Sequence, residues 1–255
     1  MTETGGDIIL SAEKLSKHFG GIAAVVDVDL KVRRGSVHAL IGPNGAGKTT
    51  CFNLLTKFLQ PSAGKIVFDG RDITRLKPAE ISRLGLVRSF QISAVFPRLT
   101  ALENVRLALQ RRLRGDSFDF WRSERVLRDL DREARDRIAA VGLADFATVA
   151  AGELPYGRKR ALEIATTLAL EPQMLLLDEP MAGMGHEDVG RIAALIRSVS
   201  AGRTILMVEH NLSVVAELSD RITVLARGQV LAEGSYADVS KDERVIEAYI
   251  GVGHG

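Results

Sequence analysis

The chain has 255 residues, of which 46% are hydrophobic and 26% are charged, a composition typical of a globular protein. Its formal net charge of +2 is too small to indicate a nucleic-acid-binding protein, so no nucleic-acid partner is expected. The single cysteine, Cys51, excludes an internal disulfide and a cysteine-cluster metal site, and it fits a reducing compartment.

The N-terminal part of the chain predicts strands and one helix. Residues 7–33 include VVDVDLKV, in which apolar and polar residues alternate before the turn RRG. VHALIG is a short apolar strand that leads into a glycine-rich loop. TTCFNLLTKFLQ has helical spacing at Phe52, Leu55 and Leu59, and this helix is expected to stop at Pro61. GKIVFDGRDI predicts a further strand and a turn.

The rest of the chain predicts charged helices followed by a parallel sheet. Residues 101–137 predict solvated helices, with opposite charges at i,i+4 spacing in Glu124/Arg128, Asp131/Arg135 and Glu133/Arg137. From residue 158 onward helix and strand alternate. The segments MLLLDE, TILMVEH and ITVLARG lack polar alternation, as expected of strands inside a covered parallel sheet. RGQVLAEG then predicts a returning hairpin strand, and DERVIEAYIG predicts a C-terminal helix.

The segment GPNGAGKTT has the spacing G-x-x-x-x-G-K-[ST] and lies between a predicted strand and a predicted helix. Its glycines let the backbone wrap closely, so that N–H groups and the positive end of the helix dipole face phosphate oxygens. Lys48 is expected to reach the β- and γ-phosphates, Thr49 to ligate Mg²⁺, and Thr50 to contact the α-phosphate. The alternative is a glycine-rich turn without a ligand. The candidate nucleotide-binding residues of this loop are Gly42, Pro43, Asn44, Gly45, Ala46, Gly47, Lys48, Thr49 and Thr50.

Two adjacent acids, Asp178 and Glu179, follow the apolar residues MLLL, at the end of a predicted parallel strand where ligands gather. Because side chains alternate across a strand, the two carboxylates cannot face the same way. We expect Asp178 to hold Mg²⁺ and Glu179 to act as general base toward water, a role that is typically worth ~10²–10⁴-fold in rate. The alternative is an ion-paired acid pair in a loop. His210 ends another strand; it could hold the γ-phosphate or the water, or it could be structural.

These motifs, in this order, resemble those of the ATP-binding-cassette (ABC) ATPases. The resemblance covers residues 7–250 and includes SFQ, the Gly157 turn before MLLLDEP, and VEHN. It implies an ATPase with ATP and Mg²⁺ as cofactors, in which Phe19 of LSKHFGG stacks on adenine. It also implies that Gln91 ligates Mg²⁺ and joins the γ-phosphate to a loop that contacts a membrane subunit. In the same family pattern Glu179 is the catalytic glutamate and His210 the switch histidine.

Within that family, several segments are similar to the ATP-binding subunits of branched-chain amino-acid importers, among them HFGGIAAVVDVDL, VRSFQISAVFPRLTALENV and VIEAYIG. This similarity implies separate permease subunits, which we expect to dock near Gln91 to Leu99, where Ile92, Val95 and Phe96 are apolar. No apolar run is long enough to span a bilayer, and MTETGGDIIL lacks the features of a signal peptide. The protein is therefore expected in the cytoplasm, peripherally bound to the inner face of the cell membrane.

The fold that the resemblance implies is α/β, a single nucleotide-binding domain over residues 1–255. It would have a P-loop (RecA-like) core with an antiparallel β subdomain, and a helical subdomain. The expected boundaries are 7–91 and 161–235 for the core with its β subdomain, 92–160 for the helical subdomain, and 236–255 for a C-terminal helix and tail.

The sequence departs from the family pattern at groups that act across a dimer. The family signature is Leu-Ser-Gly-Gly-Gln, whereas this chain has Leu154, Pro155, Tyr156, Gly157 and Arg158. In the family the signature faces the ATP of the opposite subunit, and proline cannot supply the serine hydroxyl. Gly185 likewise stands near the place of a family aspartate. We therefore expect pairing with a second, different ABC ATPase subunit, with a homodimer as the alternative.

Two other functions compete with transport. One is a soluble ABC ATPase that uses ATP to clamp DNA or ribosomes, although such proteins tend to have two cassettes or a coiled-coil insertion. The other is an ATP-gated regulatory scaffold with negligible turnover, which the altered signature keeps possible.

Overall fold

The computed structural model describes residues 7–89, 95–110 and 124–250 of the chain. These residues form two compact units. The first unit comprises the described residues of Met1–Arg88, Gln173–Pro180 and Ile196–Gly255, and the second comprises those of Ser89–Pro172 and Met181–Leu195. The division into core, helical and C-terminal parts that the sequence predicts stays a prediction.

Ten strands in the described residues form two sheets, one of four strands and one of six. The strands are β1 Ile8–Phe19, β2 Ile22–Arg33, β3 Val37–Ile41, β4 Ala63–Phe68, β5 Arg71–Asp72, β6 Leu86–Ser89, β7 Met174–Asp178, β8 Thr204–Val208, β9 Arg221–Ala226 and β10 Gln229–Gly234. All strands predicted from the sequence are present, including the hairpin return that forms β10.

Nine α-helices of the described residues connect and follow these strands. They are α1 Lys48–Leu55, α2 Pro78–Arg83, α3 Ala101–Gln110, α4 Glu124–Ala140, α5 Tyr156–Leu168, α6 His186–Ser200, α7 Leu212–Leu218, α8 Tyr236–Val239 and α9 Glu243–Ile250. The predicted α/β class is confirmed. No helix in the described ranges is both long enough and apolar enough to cross a membrane.

The six-stranded sheet has the order β10-β9-β3-β8-β7-β6. β3 is parallel to β8 and β9, and β7 is parallel to β8, whereas β10 returns antiparallel to β9. Every residue of β3, β7 and β8 is buried, which explains why their sequences lack polar alternation. In this register Val208 pairs with both Leu40 and Asp178, so the carboxyl ends of three strands meet at one edge.

The four-stranded sheet has the order β2-β1-β4-β5 and is antiparallel. Its buried residues alternate along β2, as the pattern VVDVDLKV predicts. Together with α1 and the buried face of the larger sheet, they form one apolar core, whose largest fully buried side chains are Phe52 and Phe68. This core is the support on which the loop after β3 rests.

Helix α1 ends earlier than the sequence predicts. Its last helical residue is Leu55, six positions before Pro61. Lys57 has a φ of 64°, in the left-handed region, which ends the helix without a proline or glycine. The hydroxyl of Thr56 donates to the carbonyl of Phe52 and occupies a helix-terminal acceptor. The spacing of Leu59 was therefore a wrong indication of helix.

The helices of the second unit include the predicted charged surface. Arg137 pairs with Glu133 at 3.1 Å, as the i,i+4 spacing predicts, and Asp131 pairs with Arg106 of α3 at 3.1 Å. The pair Glu124/Arg128 lies outside the side chains that the structure describes.

The backbone of Phe96 is fixed by the side chain of Asn104. The amide oxygen of Asn104 accepts from the N–H of Phe96, and the amide nitrogen of Asn104 donates to the carbonyl of Phe96.

Candidate functional site

The glycine-rich loop after β3 has the strand–loop–helix arrangement that its sequence predicts, with α1 beginning at Lys48. Gly42 and Gly47 have φ angles of 150° and 97°. A Cβ atom on Gly42 would lie 2.1 Å from the carbonyl oxygen of Leu225, and one on Gly47 would lie 2.6 Å from that of Ala24. Glycine is therefore required at both positions by contacts with β9 and β2, beyond any need to approach a phosphate.

Lys48, the first residue of α1, is buried at the mouth of this loop. Its ammonium group donates to the carbonyl oxygens of Gly42 at 2.7 Å and Pro43 at 2.9 Å. Burial lowers the pKa of Lys48, and the charge of Glu179 opposes that shift. A desolvated ammonium within the loop is a strong electrostatic partner for a polyphosphate.

The two strand-end acids point to different partners, as the alternation argument predicts. Asp178 is the last residue of β7 and is fully buried, and its Oδ2 accepts a hydrogen bond from the guanidinium of Arg88. Glu179 has a φ of 44°, and its N–H donates to the carbonyl of Val208 at 2.9 Å. A left-handed backbone is uncommon in residues other than glycine, and it costs about 1–3 kcal/mol.

Glu179 and His210 are in direct contact. The Nε2 atom of His210 lies 2.8 Å from Oε1 of Glu179, so the two form a hydrogen bond between the ends of β7 and β8. Glu209 holds this turn, because its carboxylate accepts from the N–H groups of His210 at 2.7 Å and Asn211 at 2.9 Å. The arrangement gives the Glu179 carboxylate an imidazole neighbour that can orient it.

A cavity of about 480 Å³ unites these groups. Its volume lies within the roughly 300–1,000 Å³ that is usual for a small-molecule pocket. The lining residues are Ile22, Ala23, Ala24, Asn44, Gly45, Ala46, Gly47, Lys48, Thr49, Thr50, Glu179, His210, Arg227 and Gly228. The cavity thus brings seven of the nine phosphate-loop candidates, Asn44 to Thr50, together with the proposed base and with His210, all within the first unit.

Five sequence candidates have other outcomes. Gly42 and Pro43 are not among the cavity-lining residues, although their carbonyl oxygens accept hydrogen bonds from Lys48. Phe19 is 46% exposed at the tip of the β1–β2 hairpin, where the ammonium of Lys17 lies 5.2 Å from its ring centre. It is not among the cavity-lining residues, whereas Ile22 of the same hairpin is. Gln91 lies outside the described residues. Asp178 is not in the cavity lining and is paired with Arg88, a partner that the sequence did not predict.

The sequence also gave no indication of the β9–β10 turn as part of the site. Arg227 and Gly228 of this turn line the cavity. The N–H of Gly228 donates to Ala46 at 3.0 Å, and its carbonyl accepts from Val26 at 2.8 Å. The dipeptide Arg-Gly indicates a tight turn, but its contact with a loop about 180 positions earlier in the chain depends on the sheet order, which no local pattern contains.

The altered signature residues lie in the second unit, at the start of α5. Pro155 precedes the first helical residue, Tyr156, whose hydroxyl donates to the carbonyl of Ala182 at 3.1 Å. Gly157 packs so closely on Asp188 that an added Cβ would lie 2.5 Å from a carboxylate oxygen. The Arg158 guanidinium donates to the carbonyl of Gly142 at 2.7 Å, so this side chain is held within its own unit. Leu154 is buried.

Comparisons with known families agree with this geometry. A family model described as ABC transporter matches residues 25–182, and one described as branched-chain amino acid ATP-binding cassette transporter matches residues 229–255. The chain is 40% identical over 249 residues to the high-affinity branched-chain amino acid transport ATP-binding protein BraF of Pseudomonas aeruginosa, covering 95% of this chain and 98% of that protein. It is 37% identical, with the same coverage, to the protein LivG of Escherichia coli, which has the same descriptive name.

Solved structures give the same result. The ADP conformation of MJ1267, an ATP-binding cassette of an ABC transporter, superposes with a TM-score of 0.84 at 33% identity, covering 96% of this chain and 99% of that one. A dimeric structure of MJ0796, described as a bacterial ABC transporter cassette, has a TM-score of 0.75 at 26% identity, covering 89% of this chain and 98% of that one.

Proposed function

The chain belongs to the ABC transporter family, and on that basis we propose that it is the ATP-binding and ATP-hydrolysing subunit of an importer for amino acids, specifically branched-chain amino acids. The observation that carries this proposal is that Asn44 to Thr50 of the phosphate loop, Glu179 and His210 line one cavity. The similarity to BraF and LivG over nearly the whole chain supports the substrate class.

The phosphate loop and Lys48 are the proposed ATP site. N–H groups of the loop and the start of α1 would bind the phosphates, and the Lys48 ammonium would contact the β- and γ-phosphates. Phe19 lies outside the cavity lining, so its proposed stacking on adenine rests on the family resemblance, while Ile22 to Ala24 offer apolar contact from the same hairpin.

The proposed Mg²⁺ ligands are the hydroxyl of Thr49 and the carboxylate of Asp178, with Gln91 as a further candidate. Oxygen donors of this kind suit a hard cation. In the described residues no group of three or more His, Cys, Asp and Glu side chains could hold a metal, so ATP phosphates and water would complete the coordination. When bound, Mg²⁺ would neutralise negative charge on the phosphates of ATP.

Glu179 is the proposed general base for water that attacks the γ-phosphate. Its side chain lines the cavity and contacts His210. The imidazole would hold the carboxylate in place until nucleotide is bound. In this proposal Glu179 is the base, and Asp178 is the metal ligand.

Separate permease subunits are the proposed membrane partners, docking near Gln91 to Leu99. Of the described part of this segment, Phe96 is 55% exposed, while Val95 is buried. An exposed phenylalanine whose backbone is fixed by Asn104 is a preformed apolar contact for a partner. This placement would keep the chain in the cytoplasm, bound peripherally to the inner face of the membrane.

The docking proposal predicts that Phe96→Asp uncouples hydrolysis from transport. A charge at this exposed position should weaken permease contact, so amino-acid uptake in reconstituted vesicles should fall at least tenfold while ATPase activity of the isolated subunits stays within twofold. Ile246→Asp, a charge at another exposed apolar residue, is the matched control. Equal loss of both activities in the Phe96 variant would show that the residue serves the fold and not docking.

A second, different ABC ATPase is the proposed partner within the ATPase dimer. In a homodimer each ATP would face Pro155, which has no donor, at the start of the opposite α5. A hydrogen bond to a charged group is worth about 1.5–3 kcal/mol, so losing it at both sites would weaken closure. In a heterodimer, the site built on Lys48 and Glu179 of this chain could meet an intact signature. In a homodimer, only the backbone N–H groups near Gly157 would be left to donate hydrogen bonds to the ATP of the opposite subunit.

The pairing proposal predicts weak ATPase activity for this chain alone. Activity should rise about tenfold when the candidate partner is added, and Pro155→Ser should raise the activity of the isolated chain because it supplies a hydroxyl at the helix start. Pro78→Ser, at the proline that opens α2, is the control for replacing a helix-opening proline. Full activity of the chain alone, unaffected by partner or by Pro155→Ser, contradicts the proposal.

The clamp and scaffold functions are not favoured, because the relatives that match over the whole chain are named as transport proteins. Copurification with permease subunits from detergent separates transport from the clamp, and steady-state phosphate release separates both from the scaffold.

A further inference from the structure

Arg227 is the first residue of the two-residue turn that joins β9 to β10. Ala226 pairs with Gln229 across the hairpin, and Arg227 and Gly228 have φ angles of 50° and 78°. Two positive φ angles are typical of the type I′ hairpin turn, whose first position favours asparagine, aspartate or glycine. A left-handed backbone is uncommon for arginine, so the preference of the turn does not account for the residue found here.

The backbone of this turn is held on two sides. The N–H of Gly228 donates to the carbonyl of Ala46 in the phosphate loop at 3.0 Å, and its carbonyl accepts from the N–H of Val26 at 2.8 Å. A Cβ atom on Gly228 would lie 2.8 Å from the carbonyl oxygen of Ala24. Arg227 therefore stands on a backbone that is fixed between β2 and the phosphate loop, and it lines the cavity.

The charge of Arg227 is available to a ligand. Among the described residues that line the cavity, the lysine and arginine side chains are those of Lys48 and Arg227. The Lys48 ammonium already donates to the carbonyls of Gly42 and Pro43. In the part of the chain that the structure describes, the guanidinium of Arg227 has no hydrogen-bond or ion-pair partner. A guanidinium can donate two parallel hydrogen bonds to a phosphate, so an anionic group in the cavity would suit it.

We propose that Arg227 is a further nucleotide-binding residue, whose guanidinium contacts the α-phosphate of ATP. This inference rests on the proposed function, in which the phosphates lie along the loop and Ile22 to Ala24 offer apolar contact to adenine. The turn that carries Arg227 lies against Ala24 at this apolar end and against Ala46 in the loop. The phosphate next to the ribose is therefore the one that we assign to Arg227, whereas Lys48 is assigned to the β- and γ-phosphates.

The test is competition of ATP, ADP and AMP against a fluorescent ATP analogue on the full chain. Arg227→Asn removes the charge and places a residue that the type I′ turn favours, so the fold should be retained. We expect the affinities for all three nucleotides to fall by a similar factor, about three- to tenfold, because all three contain the α-phosphate. Arg227→Lys keeps a cation and should recover part of the lost affinity.

The matched control is Lys14→Asn, which removes a positive charge from an exposed residue of β1 that has a φ of 46° and does not line the cavity. It should bind all three nucleotides like the parent. Unchanged affinities in Arg227→Asn, a loss for ATP alone, or an equal loss in the control would each overturn the inference. If the parent protein itself fails to bind the analogue, the proposed function fails, and this inference fails with it.

Discussion

Replacing Glu179 with glutamine is expected to reduce ATP hydrolysis by about 10²–10⁴-fold while ATP binding is retained. The amide has the shape of the carboxylate and can still bond to Nε2 of His210, which lies 2.8 Å from Oε1 of Glu179. It cannot accept a proton from water. The measurements are steady-state phosphate release with the partner subunit present, and equilibrium binding of a fluorescent ATP analogue.

The matched control for this experiment is Glu217→Gln, which makes the same change at an exposed acid paired with Arg197. Its hydrolysis rate should equal that of the parent. If Glu179→Gln hydrolysed ATP at the parental rate, the assignment of Glu179 as base would be wrong, and another group at this edge of the sheet would have to take its role. A loss of binding together with turnover would indicate that the amide disturbs the loop.

Replacing Lys48 with alanine is expected to weaken ATP binding itself, by roughly 10- to 100-fold. A hydrogen bond between charged groups contributes about 1.5–3 kcal/mol, and 1.4 kcal/mol corresponds to a factor of ten in affinity. The ammonium is buried at the mouth of the loop, where low solvent access strengthens its attraction for phosphate. The measurement is a comparison of the dissociation constants for ATP and AMP.

The comparison of nucleotides makes the second prediction specific. Lys48 is assigned to the β- and γ-phosphates, so AMP affinity should change little in the alanine variant. Lys31→Ala, at an exposed position of β2, is the control for loss of a positive charge. A similar loss for AMP and ATP would contradict the assignment and point to collapse of the loop around the missing side chain.

Much of the fold could be predicted because local patterns and buried contacts agree. The unbroken apolar segments of β3, β7 and β8 correspond to complete burial on both faces. The end of α1 could not be predicted, because Lys57 has left-handed dihedrals that its residue type rarely adopts. Such a conformation is imposed by the surrounding tertiary structure, and the spacing of apolar residues does not contain it.

Some residues of the candidate site could likewise be predicted from the sequence, and others could not. Lys48, Glu179 and His210 each follow one of the parallel strands β3, β7 and β8. Their motifs predicted a common site, because ligands gather at the carboxyl ends of parallel strands. Arg88 and Arg227 could not be assigned from the sequence, since each is a common residue without a motif. Arg88 pairs with Asp178, 90 positions later in the chain. Arg227 lines the cavity because its turn lies against the phosphate loop, where the N–H of Gly228 donates to the carbonyl of Ala46.

The close packing of Gly47 and Gly228 on the carbonyl of Ala24 has a consequence for the thermodynamics of binding. Because the hairpin turn and β2 fix the loop from two sides, most of its conformational entropy is lost when the protein folds, not when ATP arrives. A ligand that meets an ordered loop has a smaller entropic cost of association than one that must order it. Nucleotide affinity at this site is therefore coupled to folding of the β9–β10 hairpin.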